Sequence, residues 1–407
     1  MFAWWQAGSP QARKALIAAS LGWMLDAFDV MLYALVLAAI MAELSVSKEV
    51  AGALGSLTLI ASAAGGVIFG LVADRFGRTR ALIASVLIYS VFTAACGLAQ
   101  SVAQLAIFRI FLGLGMGGEW ASGAALVSET WPAEHRGKAL GFMQSAWAVG
   151  YGAAALVTAV VMPFGGWRGV FFVGILPALF TLWVRRNVEE PAIWLESRHA
   201  PTASRAGLGQ IVRRPLLPLT IAITVMNAFT MFAWWGFNLW LPGYLSLPVD
   251  QGGVGLTTTM MSAFVFVMQV GMWFGYVTFG YVSDRVGRRR TYVTYLVAAA
   301  VLLFVYASIR MPLVLLALGP FVAFFGTGYF SGFGAVTAEI YPTSIRATAQ
   351  GFTYNIGRVV SAAAPWTVGS LAQTHGFAVA LSISSVAFLL AALTWVWIPE
   401  TKGRELS

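Results

Sequence analysis

The sequence predicts an all-α membrane protein in which twelve transmembrane helices form two pseudo-symmetric bundles of six. Three observations lead to this fold class. The chain of 407 residues is 59% hydrophobic and 10% charged, whereas soluble domains contain roughly 25% charged residues. It also contains twelve apolar runs of membrane-spanning length, and one basic motif returns 210 residues after its first occurrence.

The repeat indicates that the chain is a duplicated unit. Residues 74–80, Asp-Arg-Phe-Gly-Arg-Thr-Arg, return as residues 284–290, Asp-Arg-Val-Gly-Arg-Arg-Arg, with five of seven positions identical. A fixed-period repeat is the signature of a repeated structural unit. The same offset relates further pairs along the chain: Gly70 and Gly280, Glu129 and Glu339, Pro132 and Pro342, Arg136 and Arg346, Gly141 and Gly351, Glu190 and Glu400.

The apolar runs are interpreted as helices because about twenty helical residues cross the hydrocarbon core of a bilayer. Backbone polar groups find no water there, so each span must satisfy its own hydrogen bonds. Predicted spans 1 to 6 cover residues 15–41, 51–73, 81–99, 104–126, 139–162 and 169–184. Predicted spans 7 to 12 cover residues 216–243, 257–283, 291–309, 313–337, 347–371 and 378–398.

One long polar interruption divides the chain between spans 6 and 7. Residues 191–214 contain several arginines and prolines, a composition typical of a linker. We therefore expect an N-terminal bundle over residues 1–190, a cytoplasmic linker over 191–214, and a C-terminal bundle over 215–407.

The distribution of positive charge predicts the orientation. With the N-terminus in the cytoplasm, twenty Lys and Arg residues fall on the cytoplasmic side and three, Lys48, Arg168 and Arg310, on the other. This bias places both termini in the cytoplasm and the protein in the cell inner membrane. Topology and contact with anionic lipid heads account for the net charge of +9, which argues against a nucleic-acid partner.

Several chemical classes are excluded by residue types and their placement. The single cysteine, Cys96, and three histidines in loops give no disulfide and no metal cluster, and we expect no cofactor. The Gly-x-Gly-x-x-Gly pattern at residues 113–118 lies inside an apolar helical run, so it indicates helix packing instead of dinucleotide binding. No nucleophile with an accompanying base is visible, so an enzyme is not expected.

Five ionisable residues lie inside predicted spans, where each is unfavourable by about 2.5–3.5 kcal/mol if unpaired. We therefore expect them to face a cavity or one another. Asp26 and Asp29 are three residues apart on span 1 and share a face, which Tyr33 extends. The remaining three are Arg109 and Glu119 in span 4 and Arg358 in span 11.

The chain resembles the major facilitator superfamily over its whole length. The resemblance rests on the two Asp-Arg-x-Gly-Arg loops, on Arg109-x-x-x-Gly113, on Glu129…Arg136-Gly137, and on the closing motif at residues 399–404. It implies two six-helix bundles around a central cavity that opens alternately to either side of the membrane.

Within that superfamily the chain is most similar to the proton-coupled organic-acid symporters, among them sialate/lactate, metabolite and aromatic-acid transporters. The similarity rests on residues 26–29, Asp-Ala-Phe-Asp, on 117–120, Gly-Gly-Glu-Trp, and on matches within 129–147. Residues 148–157 contain no proline and lack the antiporter pattern, which favours symport.

The buried charges predict a proton switch. Burial and a second carboxylate favour a protonated aspartate, whereas a neighbouring arginine favours the charged form. We expect Asp29 to be the main proton carrier, Arg109 its charge partner and Asp26 a modulator, roles that the resemblance also implies. A static salt bridge between spans 1 and 4 is the alternative. For Glu119, coupling and packing roles are equally compatible with the sequence.

Arg358 is the expected anchor for a substrate carboxylate, because a guanidinium can bind a carboxylate through two hydrogen bonds. A structural bond to carbonyls at a helix break is the alternative. Small-ligand sites combine aromatic faces with a few polar groups, although tryptophan and tyrosine also populate membrane interfaces. The other substrate candidates are Asn355, Tyr33, Gln144, Trp147, Tyr151, Trp235, Asn238 and Gln269.

The two repeated loops are expected to gate the transporter, whereas purely topogenic charge would not require their repeated Asp and Gly. Their candidate residues are Asp74, Arg75, Gly77, Arg78, Asp284, Arg285, Gly287 and Arg288. The sequence therefore predicts proton-coupled uptake of a small organic anion, a monocarboxylate, by a monomer that contacts membrane lipids. The alternatives are uptake of a neutral sugar or vitamin, drug efflux, and a membrane receptor or sensor.

Overall fold

The computed structural model describes residues 3–190, 215–342 and 345–402. The linker expected over residues 191–214 lies outside the described residues. After a short helix, Ala3–Ala7, the chain forms long helices joined by short connections. The first six are α1 (Pro10–Glu43), α2 (Lys48–Phe76), α3 (Arg78–Cys96), α4 (Val102–Thr130), α5 (Ala133–Val173) and α6 (Pro177–Asn187).

The second half repeats this pattern. It contains α7 (Leu217–Ser246), α8 (Thr258–Val286), α9 (Arg288–Ser308), α10 (Pro312–Thr327), α11 (Phe330–Ile340), α12 (Arg346–Ser361) and α13 (Ala363–Thr394). Several helices begin at a side-chain cap, which satisfies a free N–H of the first turn. The oxygens of Ser9, Ser47, Ser101 and Thr257 each accept from the backbone N–H three residues later, at 3.1 to 3.3 Å.

Two helical segments are long enough to cross a membrane twice. Ten segments of the described chain have the length and apolarity of a membrane span, and two of these have 48 and 46 residues. A positive-φ glycine breaks each one, Gly166 at φ 58° and Gly376 at φ 81°. The breaks are 210 residues apart, and only glycine adopts such backbone angles readily. The result is twelve crossings, which confirms the predicted fold class.

The helix boundaries differ from the predicted spans in the broken regions. Span 6 was expected over residues 169–184, but the chain turns at residues 174–176 and divides this span between the end of α5 and α6. Span 10 is likewise divided into α10 and α11, and span 11 into α12 and the first part of α13. Apolarity locates a span, but it does not report local turns within it.

Glycines allow the helices of the first half to pack closely. A Cβ on Gly113 would overlap the carbonyl oxygen of Thr58, and one on Gly117 would overlap that of Ser62. The glycine run at residues 113–118 is therefore a close-packing surface of α4, which contacts α2 and, at Gly115, α3, as its apolar setting predicted.

The two halves meet tightly on the face of the molecule that lies away from the repeated loops. There the Lys48 ammonium donates to the Gln251 carbonyl at 2.7 Å, and the Lys48 N–H donates to the Gln373 side chain at 3.1 Å. The backbone N–H of Trp366 donates to Ser56 at 3.1 Å. We call these contacts of α2 with the second half the seal.

The face that carries residues 74–80 and 284–290, called here the basic face, is open. Hydrogen bonds between the halves, within the described ranges, lie in the seal or between Tyr151 and Asn238. Toward the basic face, glycines of α2, α5, α8 and α12 have no atom within 4 Å of a Cβ position: Gly70, Gly141, Gly280 and Gly351. The molecule is therefore closed on one face and open on the other.

Candidate functional site

A small cavity of about 40 Å³ lies between the halves. Its walls come from α1 and α5 of the first half and from α7, α8, α11 and α12 of the second. Most of the lining is aromatic, and one charged residue, Arg358, contributes to it. The lining residues are Trp23, Gln144, Trp147, Met231, Trp234, Trp235, Tyr276, Phe330, Tyr354 and Arg358.

Four tryptophans form a continuous cluster in this cavity, called here the tryptophan cluster. Trp147 of α5 is at its centre, with ring centroids 4.7 Å from Trp23, 5.6 Å from Trp234 and 6.1 Å from Trp235. Trp234 and Trp235 are themselves 4.8 Å apart and edge-to-face. Such contacts are favourable aromatic geometries, and here they join the two halves through their rings.

The cavity contains polar atoms that have no partner within the protein. The indole N–H groups of Trp23, Trp147 and Trp234 are buried and donate to no described atom, and Gln144 Oε1 accepts no hydrogen bond. A buried donor without an acceptor is unfavourable by about 1–3 kcal/mol. Unpaired groups that converge on one cavity are what a ligand site presents before its ligand binds.

Two buried carboxylates lie close to Arg358. Asp26 and Glu119 are 1% and 0% exposed, and Arg358 interacts electrostatically with both. No Arg358 nitrogen lies within 4.0 Å of a carboxylate oxygen of the described chain. Arg358 therefore faces acids of the opposite half without a direct ion pair. Gly22 allows this placement, because a Cβ there would lie 2.5 Å from Glu119 Oε1.

Asp29 does not pair with Arg109, in contrast to the expectation from sequence. Neither residue forms a salt bridge within the described chain, and both Asp29 oxygens are buried without a hydrogen-bond partner. Thr93 lies beside Asp29 but donates its hydroxyl to the Tyr89 carbonyl at 2.8 Å. A threonine hydroxyl has one proton to donate, so Asp29 remains unpaired.

Arg109 is held one helical turn away from Asp29. Its guanidinium carbon lies 3.7 Å from the centroid of the Tyr33 ring, and its Nε donates to the Leu54 carbonyl at 3.4 Å. A cation over an aromatic face is attracted by the ring. Tyr33 is fully buried and donates its hydroxyl to the Ala51 carbonyl at 2.8 Å. Tyr33 thus supports Arg109 and is not among the residues that line the cavity.

The remaining substrate candidates lie in different places. Gln144, Trp147, Trp235 and Arg358 line the cavity, whereas Asn355, Tyr151, Asn238 and Gln269 are not part of its lining. The donor of each side chain binds a backbone carbonyl: Asn355 that of Gly351, Tyr151 that of Asn238, Asn238 that of Trp234, and Gln269 that of Val265. Gln269 Oε1 is buried and accepts no hydrogen bond from a described atom.

The sequence reasoning missed two groups of residues. Trp23, Tyr276 and Tyr354 line the cavity, and the buried Tyr89 lies among Asp26, Asp29 and Glu119. Trp23 could have been found, because it precedes Asp26 by three residues and so shares its helix face. For the others no sequence signal distinguishes a cavity ring from a packing ring.

The repeated loops bind within their own halves. Arg78 binds the Glu129 carboxylate through Nη2 at 2.8 Å and Nε at 3.1 Å, and Arg288 binds Glu339 through Nη2 at 2.8 Å. Arg288 also contacts Asp284. The Asp74 side chain lies outside the described part of the structure. Arg75 lies over the Phe76 ring at 5.4 Å, and the Arg285 carbonyl accepts from Lys402 at 2.7 Å.

Each loop turns at a glycine, and a glutamate distant in sequence caps the helix that follows the loop. Gly77 and Gly287 have φ angles of 118° and 112°, which favour glycine. The Glu190 carboxylate accepts from the first backbone N–H groups of α3 at 3.1 and 3.2 Å. Glu400 does the same for α9 at 2.8 and 3.1 Å. A carboxylate at a helix N-terminus stabilises the helix dipole.

The Glu400 carboxyl lies outside the spans, and its pKa is shifted. Burial acts to raise the pKa, but backbone N–H donors of Lys402, Arg288, Arg289 and Thr401 outweigh it, so the pKa is lower than usual. Charged acceptors form the stronger class of hydrogen bond, and the cap therefore favours the ionised carboxylate.

Comparison with known proteins identifies the family. The sequence profile of the Major Facilitator Superfamily matches residues 19–278 and 245–407. The chain belongs to this superfamily. It is a secondary transporter and not an enzyme, and a small molecule is its substrate.

Relatives and solved structures agree with this assignment. A protein of Cupriavidus pinatubonensis named "Probable 4-methylmuconolactone transporter" is 35% identical, over 99% of this chain and 94% of its own. A sialic acid transporter of Escherichia coli is 32% identical, over 98% of this chain and 97% of its own. The crystal structure of a D-xylose–proton symporter superimposes with a TM-score of 0.79 at 21% identity, covering 97% of this chain and 100% of that one.

Proposed function

We propose that this transporter couples the uptake of a small organic anion, a carboxylate, to protons. The observation that carries the proposal is the position of Arg358 in the second half, facing Asp26 and Glu119 of the first. A buried cation near two acids can exchange them for a substrate carboxylate, and the acids can then hold protons. Ionisable groups buried at such depth in a membrane protein are usually functional.

The coupling follows from charge balance at this site. When Asp26 and Glu119 are both ionised, Arg358 is attracted to them and a substrate anion is repelled. Protonation of either acid removes one negative charge from a buried site, where charge interactions are strong. Arg358 is then available for the substrate carboxylate. Proton and anion therefore favour each other's binding, as linkage between sites requires.

Asp29 supplies a third acid, about one turn beyond Asp26 along α1 and further from the basic face. Because α1 runs from the basic face toward the seal, a proton that enters from the sealed side meets Asp29 before Asp26. The Asp26 and Asp29 charges repel each other, so they titrate as a coupled pair. In this proposal Asp29 relays protons to Asp26, and Arg109 on the Tyr33 ring keeps the local field positive.

The open basic face is consistent with one step of the proposed uptake cycle. If the positive-inside rule holds for this chain, the basic face is cytoplasmic, as are both termini, and the protein lies in the cell inner membrane. The closed seal and open basic face then correspond to the state that releases substrate into the cell. Bundles over residues 1–190 and 215–407 would rock about the site in a monomer.

Uptake into proteoliposomes tests the proposal. We would measure accumulation of radiolabelled carboxylates with and without an inward proton gradient, for the wild type and for Asp26→Asn. The expected result is gradient-dependent accumulation by the wild type. In the variant, which mimics a permanently protonated acid, we expect accumulation to be lost while exchange of carboxylate across the membrane is retained.

The control is Glu189→Gln, which changes an exposed acid outside the cavity and outside the repeated loops. Uptake that ignores the proton gradient would overturn the coupling. Transport of a neutral sugar or vitamin in preference to every carboxylate would overturn the assignment of Arg358.

A further inference from the structure

We infer that the substrate is a flat, conjugated carboxylate that carries a second oxygen acceptor away from its carboxylate. The inference rests on the proposed function, since it takes Arg358 as the carboxylate anchor. It adds a substrate class to that site, and three features of the cavity carry it: its thinness, its aromatic walls and its unpaired donors.

The cavity favours thin ligands. It leaves only about 40 Å³ for the centre of a water molecule to move in, and the rings of the tryptophan cluster bound it, so the spacing of these rings limits the thickness of a ligand. A flat ligand needs a gap of one ring thickness, about 3.5–4.0 Å between contacting carbon atoms. A ligand with a saturated ring needs a wider gap, so it breaks more of the contacts between the tryptophan rings.

The walls favour conjugated ligands. Trp147 presents its ring system to three other indoles, two of them edge-to-face and the third tilted. A ligand inserted beside Trp147 exchanges those contacts for its own, and only a π system restores the aromatic interaction. Met231 and Phe330 complete an apolar wall beside these rings.

The unpaired donors require oxygen on the ligand. Trp23, Trp147 and Trp234 each carry a buried N–H without an acceptor, and indole nitrogen is a donor only. A carboxylate bound by Arg358 uses its lone pairs in the guanidinium fork. The indole donors therefore remain unpaired unless the ligand has a further acceptor, such as a second carboxylate, a lactone carbonyl or a ring oxygen.

A matched pair of ligands isolates flatness. Benzoate and cyclohexanecarboxylate have the same charge and carbon count, but only benzoate is flat. We would measure uptake of each, driven by a proton gradient, in proteoliposomes of the full chain. We expect benzoate to be favoured by about three- to tenfold, the factor that one aromatic contact provides. Equal uptake, or a preference for cyclohexanecarboxylate, would overturn the inference.

A second pair isolates the additional acceptor. 4-Hydroxybenzoate and cis,cis-muconate are flat and carry a second oxygen group, which benzoate lacks. Both should compete with labelled benzoate more strongly than unlabelled benzoate does, by about three- to tenfold for one added hydrogen bond. If neither acid competes more strongly, the indole N–H groups do not bind a second oxygen of the ligand, and the inference fails on this point.

Variants of Trp147 link these effects to the site. Trp147→Phe keeps an aromatic face and loses one of the three N–H donors, so it should retain the preference for flat acids and weaken the preference for a second acceptor. Trp147→Leu should lose the preference for flat acids and weaken the preference for a second acceptor. Trp397, which is 68% exposed, provides the control Trp397→Phe, for which both preferences should stay unchanged. Should Trp147→Leu fail to fold, quenching of wild-type tryptophan fluorescence by benzoate but not by cyclohexanecarboxylate would support the same conclusion.

Other outcomes separate this inference from the proposed function. If lactate or sialic acid accumulates with the proton gradient and flat acids do not, the proton-coupled uptake stands and the flat-substrate inference fails. If no carboxylate accumulates, the proposed function fails, and the inference that rests on it fails as well.

Discussion

Gly52 allows the seal to close, and adding one methyl group there is expected to hold the seal open. In the structure an ideal Cβ on Gly52 would overlap the carbonyl oxygen of Pro365. It would also lie 3.0 Å from Pro365 C and from Trp366 Cα. These are backbone atoms of α13 that cannot rotate away, so Gly52→Ala forces α2 and α13 apart whenever the seal forms.

The size of the effect follows from overpacking. Extra methyl groups in a close contact are unfavourable by about 1–3 kcal/mol, and here the penalty applies only to the sealed state. The equilibrium should therefore shift about 5- to 150-fold toward the state in which the seal is open. Gly66→Ala on the same helix is the matched control, since its Cβ would meet its nearest atoms at 3.6 and 3.7 Å.

Labelling of a cysteine within the seal measures the shift. The single native cysteine, Cys96, is fully buried, so a Ser56→Cys reporter gives little background with a membrane-impermeant maleimide. Gly52→Ala should raise the labelling rate from the sealed side, and Gly66→Ala should not. Gly65→Ala, whose Cβ would overlap the Leu114 backbone within one half, should lower thermal stability without faster labelling. If Gly52→Ala labels at the wild-type rate, the seal is not closed by this contact.

Three further predictions concern charged contacts. Lys48→Met removes the hydrogen bond to the Gln251 carbonyl across the seal. The labelling rate of the Ser56→Cys reporter should therefore rise about tenfold, the factor that corresponds to the free energy of one charged hydrogen bond. An unchanged rate would show that the Lys48 ammonium does not stabilise the seal. Glu400→Gln should lower the unfolding temperature at pH 7. Because the pKa of Glu400 is lowered in the folded state, the difference should begin to shrink as the pH falls below about 4.3, the ordinary glutamate pKa, and should vanish once the pH is below the lowered pKa. A difference that does not shrink with falling pH would exclude the charge as its cause. Arg288→Lys cannot form the forked bond to Glu339 and should destabilise the protein by about 1–2 kcal/mol in detergent, a loss that an unchanged melting curve would refute.

The helical architecture could be predicted because apolarity and the internal repeat are properties of the linear chain. Spans 1 to 4 were located to within a few residues, and the 210-residue offset anticipated that the halves would be equivalent. The same offset relates the two helix breaks at Gly166 and Gly376, which the sequence alone did not predict. The turns that divide spans 6, 10 and 11 could not be read from apolarity, because hydrophobic residues continue through them.

The candidate site could be predicted only in its composition. Intramembrane charge is rare enough to identify Asp26, Asp29, Arg109, Glu119 and Arg358 without any structure. Which of them meet depends on how each helix is rotated and how deep it lies. A difference of one helical turn places Arg109 on the Tyr33 ring instead of Asp29.

The sequence by itself determined that this chain crosses the membrane as two copies of a six-helix unit, with buried charges in both. Only the tertiary structure decided that Arg358 faces Asp26 and Glu119, that the tryptophans gather with unpaired donors, and that one face is sealed. The physical reason is that periodicity within a helix fixes which residues share a face. Packing between helices fixes which faces meet, and that packing brings together residues hundreds of positions apart.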